Sequence, residues 1–369
     1  MFVFVTFKRS VLLSIILITI ILAFSQVAYN ISPVLSSISV NEEHMTLLED
    51  IFKIRNRAFL DDNLDMIASL YNKKTKLGTW AYEHQAIKME YLHSWANKQG
   101  IEFTDIKTKI KIRYVKERDC GYLFNFLAST EYHYNYVNQP ETKNFFRIGT
   151  YHSLNVDSLG GKWLISKEWY TDPFADSLDL DNEKKDEYKK YILDSKPKSI
   201  ENTNKRRKGV IGYADLYCGA ASDGSQGFSY NKKYKDYNPI GGDCTNFVSQ
   251  TLFEGGKFRQ TGEWRYEKDG SRAWVSAQGF NSFMLYSGRG SLIAKGSYSQ
   301  VFKASFKLLP GDYIAYERKG KIAHISVVTG EDSKGYALVN SHNTDRYRVP
   351  WDLGWNNKGI KFWLVRVNY

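Results

Sequence analysis

"GGDCTNFVSQTLFEGG", residues 241–256, sets one of only three cysteines between an aspartate and the first turn of a short amphipathic helix. Phe247, Val248, Thr251 and Leu252 form an apolar stripe at helical spacing, Asp243 stands at the N-cap, and Gly255 and Gly256 supply the stop. Cys244 therefore falls at the first helical position. There the unpaired amide groups and the helix dipole stabilise an anion, which lowers a thiol's pKa, and the same amides can hold an oxyanion. The competing reading is a small core residue, because cysteine is among the most buried residue types.

A nucleophile needs a base, and His324 in "GKIAHISVVTG" is the candidate, early on a strand after the tight "RKGK" turn, with "LPGDYIAY" as its hairpin partner. In the next strand, "YALVNSHN", alternation puts Asn340 and His342 on one face, so either is placed to meet the second nitrogen of the imidazole. Cys244, His324 and His342 also have donor types that suit zinc, but they lack the paired short spacing of zinc ligands. The chemistry read here calls for no metal or organic cofactor.

Outward from this motif, the second half opens with a helix in "RRKGVIGYADLYCGAA" and closes with strands at Asp312–Tyr316, Ile322–Thr329, Tyr336–His342 and Phe362–Val367. A cysteine-bearing helix followed by antiparallel strands is the order of a papain-like α+β domain. Aromatic residues from Trp264 to Tyr286 either line a substrate groove or fill the core. In the first half, helical spacing over residues 42–98 predicts two or three helices. Then Ile106, Thr108, Ile110, Ile112 and Tyr114 alternate with Lys107, Lys109, Lys111 and Arg113, a half-buried strand with a solvated basic face. Further strands at 121–137, 144–156 and 162–171 complete a smaller α+β domain with the helices-then-sheet order of the NTF2-like or cystatin-like class. The five histidines of this half, His44, His84, His93, His133 and His152, have no metal-like spacing and read as structural.

Four segments result: a leader at 1–29, an accessory domain at 42–172, a charged helix and linker at 173–206, and the cysteine domain at 207–369. The acidic residues Asp179, Asp181 and Glu183 are followed by Lys184 where a calcium loop needs glycine, so the linker reads as a solvated charged helix. Lys8 and Arg9 precede an uncharged apolar run, Val11–Phe24, of a length between a signal peptide and a spanning helix. Cleaved secretion and membrane anchoring both remain open, and either places the rest outside the cytoplasm.

Three cysteines make no disulfide framework for such a compartment; Cys218 reads as packing and Cys120 as a turn residue, with a bridge between them as the alternative. The formal charge of +11 on 369 residues suggests attraction to anionic wall polymers more than to nucleic acid.

Taken together, "YNPIGGDCTNFVSQTL", "LPGDYIAYERKGKIAHISVVTG" and "NSHNTDRYRVPW" resemble the bacterial "putative amidase domain" family, which is similar to the NlpC-type and CHAP-type cell-wall cysteine peptidases of papain-like fold. The resemblance covers about residues 207–369. It implies Cys244 as nucleophile, His324 as base, and His342 as the histidine of the family's "HTN"-like string, with Asn340 two residues away as the other orienter. It further implies that Asn238 stands where papain-like enzymes often carry an oxyanion-hole side chain. The expected activity is hydrolysis of an amide bond in a peptidoglycan or other envelope peptide. Acyl transfer through the same residues and a non-catalytic envelope or spore-coat binding protein on the same fold are the alternatives.

Overall fold

The period-two segments of the first half form one continuous meander, as a computed structural model of the chain shows; the structure describes residues 39–174, 185–198, 204–223, 228, 230–355 and 359–369. The apolar run at 11–24 and the acidic residues Asp179, Asp181 and Glu183 lie outside the described residues. Among the described residues no helix is long and apolar enough to cross a membrane.

Helices α1 (Glu42–Leu60), α2 (Leu64–Ser69) and α3 (Lys76–Gln99) come first. Asn41 caps α1 by accepting from the His44 backbone amide at 3.0 Å, and Gly100, in the left-handed region, ends α3. Strands β1 (Ile101–Arg118), β2 (Gly121–Tyr136), β3 (Gln139–Leu159) and β4 (Lys162–Tyr170) follow. As expected from the alternation, Lys107, Lys109, Lys111 and Arg113 all face solvent.

After α4 (Lys185–Asp194), the second half comprises α5 (Lys205–Leu216), α6 (Cys244–Gln250), α7 (Arg272–Val275), α8 (Ala277–Tyr286), β5 (Gly290–Gly296) and α9 (Tyr298–Ser305). It ends with β6 (Tyr313–Arg318), β7 (Lys321–Glu331), β8 (Ala337–Ser341), β9 (Asp345–Pro350) and β10 (Ile360–Val367). The class is α+β with a large antiparallel sheet. Two strands, β5 and β9, are not announced by the sequence.

Strand β9 changes the domain picture. It pairs Asp345–Tyr347 with Arg147–Gly149 of β3, so both halves share a ten-stranded sheet in the order β1-β2-β3-β9-β8-β7-β6-β10-β5, with β4 also on β3. Gly149 makes the junction possible, since a Cβ there would lie 2.3 Å from the Ala220 backbone carbon. One apolar core runs from Phe52, Trp95 and Phe146 of the first half to Phe302, Tyr316 and Trp351 of the second. A separate core, containing Phe247, Val248, Ile325 and Val327, fills the other face of the second half's sheet beneath α5, α6 and α8. The charged stretch 173–206 therefore separates two sequence patterns, not two cores.

Candidate active site

Helix α6 exists because its apolar stripe is buried: Phe247 and Val248 are fully covered, and so are Thr251 and Leu252 in the wider π-type turn, Thr251–Gly255, that continues it. The polar residues of the motif are engaged as well. Asn246 Oδ1 accepts from Trp274 Nε1 at 2.8 Å, Ser249 Oγ donates to the Trp274 carbonyl at 2.9 Å, and Gln250 Oε1 accepts from the Tyr213 hydroxyl at 2.8 Å. The DCTNFVSQ string thus mounts one cysteine on a helix pinned by Asn246, Phe247, Val248, Ser249 and Gln250. Trp264 and Trp274, offered by the sequence as groove or core, are core.

Asp243 occupies the N-cap position, but its side chain makes no capping bond. Its Oδ2 instead accepts from His342 Nδ1 at 2.6 Å, while Oδ1 accepts from Asn246 Nδ2 at 2.7 Å and the Tyr237 amide at 3.1 Å. The other nitrogen of His342, Nε2, donates to the Tyr217 carbonyl at 2.7 Å, and the ring stacks on Phe247 with centroids 4.0 Å apart. An imidazole facing a carboxylate and a carbonyl, both acceptors, holds two protons. Burial alone works against that charge, but Asp243 and Asp345 outweigh it, and the His342 pKa is raised. His342 is therefore a clamp between α6 and the end of α5, with no nitrogen left for a second partner.

A group whose folded-state pKa is raised stabilises the fold fully below its unfolded value, near 6.5, and loses that contribution as pH rises through the folded value. The melting-temperature advantage of the wild-type chain over His342→Gln is thus expected to be constant below pH 6 and to narrow steadily above about 6.5. Paired thermal melts across pH 5.5–9 check this.

Cys244 itself is buried, at 5 % exposure, with its sulfur 3.7 Å from Thr245 Oγ1. Burial pushes the thiol up, and the backbone N–H of Ile325 and the Thr245 hydroxyl offset this only in part. This corrects the expectation of a lowered thiol pKa: desolvation outweighs the helix start on a seven-residue helix.

The expected meeting of sulfur and imidazole is also corrected. His324 pairs across the ladder with Tyr316 and sits against Tyr316 and Trp355, with ring centroids at 5.4 and 5.0 Å, in the core shared with the first half. Cys244 lies near the Ile325 amide, and α6 packs on the opposite face of β7, where Ile325 and Val327 point. No hydrogen bond joins Cys244 to His324, and His324 Nε2 is buried without a partner. Burial, together with the nearby Arg346 guanidinium, pushes this imidazole down to about 3, so it is neutral. The register shift between Tyr316 and Glu317 leaves Ala323 as the extra residue, which puts Ile322 on the α6 face and His324 on the other.

Neither proposed orienter reaches His324. Asn340 does share the α5-facing side with His342, as alternation predicts, but its Nδ2 donates to Asp215 at 3.0 Å and its Oδ1 accepts from Thr329 Oγ1 and the Arg348 amide, both at 2.7 Å. It is a structural amide, with both Oδ1 and Nδ2 engaged. Asn238 sits exposed in a 3-10 turn, its amide donating to Asp236, with no contact to Cys244. All three cysteines are free thiols, so Cys120 and Cys218 form no bridge.

What the sequence did not point to is the neighbourhood of Asn343. Its Oδ1 accepts from the Asp243 amide at 2.5 Å, and its side chain fills the space over Gly242, where a Cβ would collide with Nδ2. Gly241 and Gly242 both need positive φ, +134° and +115°. These two glycines form part of the lining of a cleft of about 730 Å³ between the halves, together with Tyr151, Trp169, Asn343 and Thr344. Cys244 lies two residues beyond Gly242. The polar string "NSHNTDRY" is the one sequence signal that marked this wall.

A cysteine at the start of a pinned helix, laid on an antiparallel sheet beside an interdomain cleft, defines a cysteine-bearing helix-then-sheet α+β domain. Residues 204–365 match the model of the family described as "Putative amidase domain". Two Bacillus subtilis (strain 168) proteins, both described as uncharacterized, are similar to this chain. YhbB is 27 % identical over 39 % of this chain and 43 % of its own length. YjcM is 32 % identical over 43 % of this chain and 37 % of its own. The chain thus spans less than half of either relative. The intermembrane-space region of the chloroplast protein ARC6 matches with a TM-score of 0.24 at 14 % identity, over 36 % of this chain and 98 % of that one, a likeness too slight to carry an argument.

Proposed function

We propose that this protein is an extracytoplasmic cysteine amidase that hydrolyses an amide bond of a cell-wall peptide, with Cys244 as the nucleophile. The observation that supports this most is the mounting of Cys244: Asp243, Asn246, Ser249 and Gln250 of its motif are each committed to holding α6, and the glycines before it line the cleft. The amidase family match over 204–365 supports the reaction class, and the apolar run at 11–24 supports the compartment. The sulfur attacks the amide carbonyl, the C–N bond breaks as the leaving nitrogen takes a proton, and water then cleaves the thioester to free the acid and the thiol.

At rest the thiol keeps its proton, so a base must reach it when substrate binds. His324, the base that the family resemblance implies, is our candidate because its Nε2 has no partner; its ring rests on the face of β7 away from α6, so the role requires it to reach the α6 face when substrate binds. Catalytic hydrogen bonds are often absent before substrate binds, and here the ring has to leave its place beside Trp355.

The same observations favour a second reading, a wall-binding protein without turnover, since a buried thiol with no base is what such a protein would keep. Alkylation separates the two. Under the amidase reading, iodoacetamide modification of Cys244 accelerates by about tenfold or more when wall peptide is present, as expected of a thiol that is uncovered and deprotonated. Unchanged or slowed modification supports the binder.

A further inference from the structure

The cleft beside Gly241 and Gly242 has walls from both halves. On one side stand Leu127, Tyr151 and Trp169 of the first half's sheet; on the other stand the glycine pair and Asn343–Thr344 of the second. Trp169 is 56 % exposed, large for an indole, and meets Tyr151 edge-on with centroids 6.4 Å apart, making an aromatic corner. Arg113 lines the same cleft, is solvent-exposed, and has no hydrogen-bond or ion-pair partner among the described residues.

Neither carboxylate lining the cleft is paired with Arg113. Asp345 is buried and accepts from the Ala220 amide at 2.7 Å and from the Tyr230 hydroxyl, while exposed Asp236 accepts from the Asn238 amide. Lys109 and Lys111, on the same face of β1 as Arg113, border the neighbouring loop, Lys109 donating to the Asp223 carbonyl and Lys111 lying 6.0 Å from the centre of the Phe228 ring. An unpaired guanidinium at the end of a cationic stripe, beside an aromatic corner, fits a ligand with a carboxylate and apolar side chains. Across from it, two glycines present bare backbone, which suits an extended main chain.

We propose that this cleft binds a peptide carrying a free carboxylate, that Arg113 grips the carboxylate, and that the first half is thereby one wall of the binding site. The proposal rests on the amidase reading only for the claim that this peptide is the substrate. It accounts for the shared sheet, because β3 paired to β9 fixes the two walls against each other.

The test uses the full chain in detergent with Cys244→Ala, so that binding is read without turnover. A synthetic wall-type tetrapeptide with a free terminal carboxylate, its terminal amide, and a neutral amino-sugar oligosaccharide are titrated against tryptophan fluorescence. The acid is expected to bind, amidation or Arg113→Ala to weaken it about ten- to a hundredfold, and Arg113→Lys to recover part of the loss. Trp169→Ala is expected to weaken it and reduce the fluorescence change. Equal binding of acid and amide, no binding of either peptide, or binding of the oligosaccharide unaffected by Arg113→Ala would overturn the proposal. Arg113-dependent binding together with an inactive wild-type chain would instead leave the cleft assignment standing and remove the amidase reading.

Discussion

Cys244→Ala is expected to abolish release of new amino groups from purified peptidoglycan, with turnover falling by about 10⁴-fold or more, because the reaction has no other nucleophile. Stability should change little, on the order of 1 kcal/mol, since the thiol makes only weak polar contacts, to the Thr245 hydroxyl and the Ile325 amide. His324→Ala is expected to cost about 10²- to 10⁴-fold in kcat, the range of a general base, with KM nearly unchanged. Mass spectrometry of released fragments measures all three chains. A His324→Ala protein as active as wild type would transfer the base role elsewhere.

The second large effect concerns the join between the halves. Lys98 on α3 and Asp352 after β9 form a buried ion pair, Nζ to Oδ2 2.5 Å, with side chains 2 % and 0 % exposed. Tyr336 donates to Oδ1 of the same carboxylate at 2.9 Å, Trp95 Nε1 approaches both oxygens at 3.3 and 3.4 Å, and Lys98 Nζ lies 4.2 Å from the centre of the Tyr298 ring. Asp352→Ala leaves Lys98 buried and uncompensated, and burial already lowers the Lys98 pKa. We expect a loss of about 3–5 kcal/mol, whereas the joint apolar replacement of Lys98 and Asp352 should recover most of it. Because one core spans both halves, denaturant should unfold the chain in a single transition, and residues 207–369 alone should not fold. Two resolved transitions by fluorescence would contradict a shared core.

That join was illegible in the sequence for a definite reason. The run at 173–206 has the charge of a linker, and "DRYRVP", with its proline and mixed polarity, has the look of a loop; only pairing with β3 on one side and β8 on the other makes β9 a strand. The meander of β1–β4 was legible because one side of β1 meets water, so its lysines alternate with apolar residues. The helix around Cys244 was legible from its stripe and stop. The position of His324 was not. Strand β7 is central and covered on both faces, so apolar residues occupy both phases of its alternation, and the pattern cannot say which phase faces α6. Likewise, a cysteine at a helix start reads as activated until its burial is known. His342, expected as an orienter of the base, instead clamps Asp243 at the start of the helix that carries Cys244.

The most direct measurement is to mix the full chain with purified peptidoglycan, quench with acid within seconds, and weigh the peptide that contains Cys244. A mass increase matching an acyl fragment, lost on treatment with hydroxylamine and absent from the Cys244→Ala chain, is the predicted thioester. Free thiol at 244 throughout, in a sample that nevertheless releases new amino groups from the wall, would contradict the account.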